Sequence, residues 1–270
     1  IRPIGPRPKG AIMGNKREYL TNAIVEICQK LDQKGWVANH DGNVTLKYED
    51  ILLATPTAVA KADITPGIII ALDMEGKKLQ GIGKPFSEVK LHLAAYRARE
   101  DVMSVVHAHP PFSMARGLAG GNFEINVPEA VVSIGGTIPV APYAMPGSPE
   151  NDRIIAEALS QCDVFMMAGN GVLAVGRDVK EAFLRIELLE HLLKINHYAV
   201  SMGTPMTLPP QDKNKLLEKR ASIGLGPKAV TYPAESPVHP SQPQPPVTGN
   251  QQDVIKSLIA EELKKVLESK

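Results

Sequence analysis

Two histidines one residue apart, His107 and His109 in MSVVHAHPPFS, are the side chains of this sequence best placed to do chemistry. If Val105–His109 is a strand, residues two apart share a face and sit about 7 Å apart along the backbone. Both imidazoles could then reach one ion. Pro110 and Pro111 stop the strand, which puts the pair at its end, beside a loop. The plainer alternative is two polar residues at a strand end.

Further candidate ligands and acids lie elsewhere. In RIELLEHLLKI, Glu187 and His191 are four apart and share one face of a helix whose apolar residues pack on a core. A third ligand from that helix would complete a three-ligand site with an open position, the catalytic arrangement for zinc; otherwise the two form an ordinary surface pair. Glu88 in GKPFSEVKLH stands at a helix start, where an acid also complements the helix dipole. Asn43 and Thr45 in DGNVTLK are polar turn residues able to donate to an anion.

The elements that must position these residues follow from periodicity. Lys16–Lys34 reads as a helix, with Leu20, Ala23, Ile24, Ile27 and Leu31 at helical spacing and Gly35 behind them. A turn at Asp41-Gly42 and two strands follow, then another strand pair around Glu75-Gly76. Ser87–Arg99 reads as a helix capped by Ser87. VVSIGGTIPVAPY reads as strand–turn–strand, Ser148–Gln161 as a helix, DVFMMAGNGVLAVG as a hairpin-like pair and Asp178–Tyr198 as a long helix. Helices and short strands mix without a βαβ repeat, so the expectation is one α/β domain with a central, mostly antiparallel sheet flanked by helices.

Composition excludes several functions. The 270 residues carry a formal net charge of +1 with few aromatic side chains, which speaks against a nucleic-acid surface. Cys28 and Cys162 are too few for a disulfide framework, so a reducing cytosol is expected. No apolar run approaches the ~18 residues of a membrane span. The arm 1–15 lacks the apolar core of a secretory signal, and a chain opening on Ile1 reads as processed.

Taken in order, DGNVTLK, LLATPTAV, KPFSEVKLHLAAYRAREDVMSVVHAHPPFS, PVAPYAMPGS and GNGVLAVGRDVKEAF resemble the class II aldolase/adducin family, and within it the sugar-phosphate aldolases. The resemblance spans about residues 16–198 and implies a domain over 16–231. It implies a divalent metal, zinc or another such as manganese, on His107, His109 and a third ligand from the late helix. Spacing points to Glu187 for that ligand and chemistry to His191. It implies Glu88 as the catalytic acid/base, with a raised pKa, and Tyr143 as a proton donor reaching a neighbouring subunit's site. The phosphate cradle would be Gly42, Asn43, Thr55, Thr57 and Ser87; Phe86 stands where the family has a second serine, and only Tyr232 could match a late tyrosine. The implied reaction cleaves a ketose 1-phosphate of the fuculose or rhamnulose type to dihydroxyacetone phosphate and a small aldehyde. The implied assembly is a homotetramer. Epimerase or decarboxylase chemistry on the same fold, or an adducin-like scaffold without catalysis, are the alternatives.

After the domain the composition changes. Residues 232–250, with Pro233, Pro237, Pro240, Pro243, Pro245 and Pro246, read as a semi-rigid linker. Residues 251–270 place Val254, Ile255, Leu258, Ile259, Leu263, Val266 and Leu267 on one helical stripe, with Glu and Lys opposite. The mixed charges speak against a membrane surface. Linker plus helix resemble the encapsulation peptide of bacterial microcompartment cargo. That implies a shell-protein partner and a place inside a microcompartment of the cytoplasm.

Overall fold

The computed structural model describes residues 9–227. The linker expected over 232–250, the helix over 251–270 and Tyr232 lie outside the described residues. In chain order the elements are α1 (Lys9–Gln33), β1 (Asn43–Tyr48), β2 (Ile51–Ala54), β3 (Ile70–Leu72), β4 (Lys78–Gln80), α2 (Val89–Ala98), β5 (Ser104–Ala108), α3 (Pro111–Ala119), β6 (Phe123–Glu124), α4 (Pro128–Ile134), β7 (Thr137–Ile138), β8 (Val140–Ala141), α5 (Pro149–Gln161), β9 (Val164–Met167), β10 (Val172–Gly176), α6 (Val179–Met202) and α7 (Pro210–Ser222).

Eight strands form one sheet in the order β4-β3-β2-β1-β5-β10-β9-β8. Its pairings are antiparallel except β8 with β9, the mostly antiparallel α/β sheet the sequence pattern predicts. Alternate residues of the central strands face opposite ways. Val44, Leu46, Val106, Ala108 and Ala174 point into a core with Ile24 and Leu31 of α1 and Ile186 and Leu189 of α6. Val105, Leu173 and Val175 point the other way, onto Leu91 and Ala95 of α2 and Ile155 and Leu159 of α5. Covered on both faces, β5 and β10 read as nearly continuous apolar runs, and the few polar residues in the central strands stand out.

Two helix starts follow local rules. The Ser148 Oγ accepts the Asn151 N–H at 3.1 Å, and the Asp178 carboxylate accepts that of Glu181 at 2.8 Å. Other elements depart from the sequence pattern. The arm expected to stay loose over 1–15 is helical from Lys9. Ser87 does not cap α2: Glu88 occupies the cap position without a side-chain capping bond, because its carboxylate is used elsewhere. Val131–Ile134, β-branched and expected as strand, closes α4. Pro128 presets that helix and tertiary burial of Val131 and Ile134 overrides local propensity. α3 starts directly at Pro111, where a loop is expected, and α7 has no counterpart in the pattern. α7 is fastened by Arg220, whose Nη2 meets the buried carboxylate of Asp163 at 2.9 Å beside Arg99 at 2.8 Å.

Candidate active site

Four chain segments meet at one end of the sheet: the start of β1, the end of β5, the first turn of α2 and the β9–β10 turn. Cα register pairs Asn43 with His107 across β1 and β5, and Leu173 with His107 across β10 and β5. Cross-strand partners share a face, so Asn43 and His107 both point toward α2. There Glu88 meets them. Its carboxylate accepts the Asn43 Nδ2–H at 3.1 Å and the Asn170 Nδ2–H at 2.8 Å, and its Oε2 lies 3.4 Å from His107 Nε2.

His109 lies just beyond β5, its backbone N–H donated to the Trp36 carbonyl at 2.8 Å. The two imidazoles still converge as their spacing predicts, with Nε2 to Nε2 3.0 Å and rings edge to face. His107 Nδ1 is 3.0 Å from the Val172 carbonyl. A carbonyl only accepts, so His107 donates its Nδ1–H to it, and Nε2 is the ring nitrogen that faces Glu88 and His109. His109 Nδ1 faces the Asp41 carboxylate at 3.6 Å. Each ring is therefore oriented from behind by an oxygen while its far nitrogen faces the other ring, the arrangement that holds metal-bound imidazoles.

Two glycines make this closeness possible. Gly42 has φ +74°, and a Cβ there would lie 3.0 Å from the His107 carbonyl oxygen. Gly171 has φ +73°, and a Cβ there would lie 2.3 Å from the Ala108 oxygen and 2.5 Å from the His109 ring. A side chain at either position would be strained by that backbone and would collide with these neighbours.

Electrostatics runs against one expectation. Burial pushes the Glu88 carboxyl upward, but hydrogen bonds from His107, Asn170 and Asn43 together with the His107 charge outweigh it, and the net shift is downward. The resting carboxylate is thus ionised and acceptor-ready, instead of raised as the sequence reading has it. For His109, burial and the neighbouring His107 charge lower the pKa and favour the neutral ring that a metal requires.

The cradle residues are more scattered in role. Ser87 and Thr57 are exposed, Thr57 giving its N–H to the Lys84 carbonyl. Thr55 is fully buried and accepts the Val44 N–H at 3.2 Å. Asn43 commits its amide nitrogen to Glu88 and its oxygen to His92 at 2.6 Å. Phe86 turns inward, its ring 5.0 Å from that of His92. Tyr143 is 64% exposed, its hydroxyl 3.9 Å from Met145 Sδ. It lines a small cleft with Asn170.

A model of the class II aldolase and adducin N-terminal domain matches residues 22–197, about two thirds of the chain and all the segments just described. The chain belongs to that family. An L-fuculose phosphate aldolase of Methanococcus vannielii is 31% identical over 66% of this chain and 95% of its own length. A 5-deoxy-D-ribulose 1-phosphate aldolase of Bacillus thuringiensis serovar kurstaki is 26% identical over 74% and 95%. A solved L-fuculose 1-phosphate aldolase superposes with a TM-score of 0.68, at 24% identity over 74% of this chain and 95% of that one. With such relatives the chain is an enzyme of the aldolase type, a lyase.

In this class II aldolase domain, Glu187 and His191 are not brought to the histidine pair. Glu187 pairs with Lys34 at 2.8 Å, and both residues line a separate surface cleft with Trp36, Phe112 and Lys194. Among the described residues no group of three or more His, Cys, Asp and Glu side chains is disposed to hold a metal. The third ligand expected from α6 is therefore absent from this arrangement, because that face of the helix turns to the cleft. Sequence reasoning missed residues that do converge here. Asn170 reaches Glu88, Asp41 backs His109, and buried Glu190 caps α3 behind His109, accepting the Phe112 and Ser113 N–H groups at 2.8 Å each. Glu190 shares the apolar run of α6 with Glu187, so no local signal set it apart.

Proposed function

We propose that this chain is a metal-dependent aldolase that cleaves a ketose 1-phosphate of the fuculose, rhamnulose or 5-deoxyribulose type to dihydroxyacetone phosphate and a small aldehyde. The observation carrying this reading is the facing Nε2 pair of His107 and His109, 3.0 Å apart, with the Glu88 carboxylate 3.4 Å from His107. Two imidazole nitrogens facing each other at 3.0 Å suit a divalent ion such as zinc or manganese, and His107 and His109 would hold it once both Nε2 atoms are deprotonated. When bound, such an ion supplies Lewis-acid polarisation of the substrate carbonyl.

Glu88 moves the proton at the carbon beside that carbonyl. As the resting carboxylate it takes that proton in the condensation direction; in cleavage it must first be protonated, and the proton lost by the aldehyde-forming hydroxyl balances the one Glu88 delivers to the released carbon. Asn43 and Asn170 hold both carboxylate oxygens, so the proton meets a fixed acceptor. Tyr143, exposed on its own chain, serves the aldehyde-side oxygen in a neighbouring subunit's site, which calls for an oligomer, a homotetramer by the family resemblance. Ser87 and Thr57, both exposed, receive the phosphate together with Gly42, while buried Thr55 supports the start of β1 through the Val44 N–H. Among the described residues no helix is long and apolar enough to cross a membrane. The place of action is the cytoplasm, inside a microcompartment, with the segment 251–270, whose sequence pattern is that of an amphipathic helix, docking on a shell protein.

The test joins metal content to aldol cleavage. Purified full-length chain is assayed on L-fuculose-, L-rhamnulose- and 5-deoxyribulose 1-phosphates, before and after chelation. Bound metal with cleavage that chelation abolishes supports the reading. Metal without cleavage of any of the three transfers the site to epimerase or decarboxylase chemistry, and a metal-free protein that cleaves overturns the ligand assignment.

A further inference from the structure

Behind the site runs a line of polar side chains that the reaction as described does not use. Glu88, His92 and Tyr96 lie at positions i, i+4 and i+8 of the first turn and body of α2, one turn apart on the same face. Opposite them Asn43 and Thr45 lie at i and i+2 of β1. Four helical residues rise about 6 Å and two strand residues about 6.6 Å, so the two rows stay level. Asn43 Oδ1 is 2.6 Å from His92 Nε2, His92 Nδ1 is 2.8 Å from Thr45 Oγ1, and Thr45 Oγ1 is 2.9 Å from the Tyr96 hydroxyl. His92 and Thr45 are wholly buried and Asn43 nearly so.

The proton on every member is dictated from the Glu88 end. An ionised carboxylate only accepts, so Asn43 must present its NH2 to Glu88 and its oxygen to His92. An amide oxygen only accepts, so His92 must carry its proton at Nε2. Its Nδ1 is then an acceptor, Thr45 must donate to it, and Tyr96 must donate to Thr45. Reversing any one member sets acceptor against acceptor inside the core, a loss of about 1–3 kcal/mol for the stranded group.

We propose that His92 is a positioning residue for Glu88: locked as the neutral Nε2–H tautomer, it forbids the Asn43 amide from flipping, so that Asn43 always aims its N–H at the carboxylate oxygen that faces His107. The proposal rests on the reading of Glu88 as the acid/base. Burial agrees with it, since it pushes His92 down to about 3 and keeps the ring neutral. Phe86, itself buried, packs edge to face on the His92 ring with centroids 5.0 Å apart.

The test has one arm that needs no activity. Nitrogen-15 imidazole shifts of the full-length chain report the tautomer directly. The Nε2–H form at His92 at neutral pH is expected, and an Nδ1–H or doubly protonated ring overturns the proposal. In the cleavage assay, His92→Leu is expected to lower kcat about 10- to 100-fold with metal content unchanged. His92→Gln, which keeps a donor near the Nε2 position, recovers most of that loss and serves if the leucine variant fails to fold. In an Asn43→Ala background, His92→Leu is expected to cost nothing further; an additive loss there shows that His92 does not act through Asn43 and overturns the proposal. Glu88→Gln separates the two readings. If it keeps wild-type turnover, the acid/base assignment fails and the catalytic half of the proposal with it, while the tautomer still reports on the line of protons by itself.

Discussion

Asn170 donates its side-chain N–H to Glu88 Oε1 at 2.8 Å, joining the β9–β10 turn to the first turn of α2 across 82 residues of sequence. The bond holds the carboxylate against His107 from the side opposite Asn43. It follows that Asn170→Ala, with the neutral end of the bond removed, should lower kcat about 10-fold while leaving metal content intact, since outer hydrogen bonds to a working group carry effects of that order. Steady-state kinetics beside metal analysis decides this; an unchanged kcat would show that Asn43 alone suffices.

Removing the acid itself is more severe. Glu88→Gln keeps the shape and the Asn170 contact but cannot carry a proton, and turnover should fall about 10²- to 10⁴-fold. Bound metal should persist, because both facing nitrogens belong to His107 and His109. His109→Ala should do the reverse and lose metal together with activity.

Glu187 and His191 offer the contrary case. Both line the cleft with Lys34 and Trp36, away from the histidine pair. Glu187→Gln and His191→Ala should each bind metal and cleave substrate within about twofold of wild type. The exposed pair with Lys34 contributes at most about 1 kcal/mol, so urea midpoints should barely move. A metal-free His191→Ala protein would restore the ligand assignment that spacing and chemistry first suggest.

Acid should destabilise the fold through His92. Its pKa is lowered from an ordinary 6.5 to about 3 by burial, so the unfolded chain binds a proton that the folded chain refuses. The stabilisation is complete above pH 6.5 and declines as pH falls from there toward about 3, by up to about 1.4 kcal/mol per pH unit. Glu88, whose pKa is also lowered, adds to the loss at the acid end of that window. Urea midpoints of the wild type should therefore drop between pH 6.5 and 4, and the His92→Gln protein should show a flatter slope.

Gly171→Ala should damage both stability and site. At φ +73° an alanine is strained, and its Cβ would press on the Ala108 oxygen and the His109 ring. A cost of about 1–3 kcal/mol is expected for the backbone alone. Relief of the clash would move His109 from His107, so thermal unfolding and metal content should fall together.

The sequence by itself singled out His107, His109 and Glu88 as candidates for chemistry, and marked which segments are helix or strand where the signals are local. The spacing of His107 and His109, the acid at Glu88, the alternation in β1 and β5 and the caps at Ser148 and Asp178 each depend on neighbours a few residues away. Tertiary structure decided the rest. It chose Asn170 as the partner of Glu88, sent Glu187 to Lys34, brought Glu190 across 77 residues to start α3, and made Val131–Ile134 a helix. It also reversed the expected shift at Glu88. The reason is common to all of these: each depends on the register of β1, β5 and β10 and on which helix face lies over them. Hydrogen bonds between residues so far apart exist only once that register is set, and no local periodicity carries it.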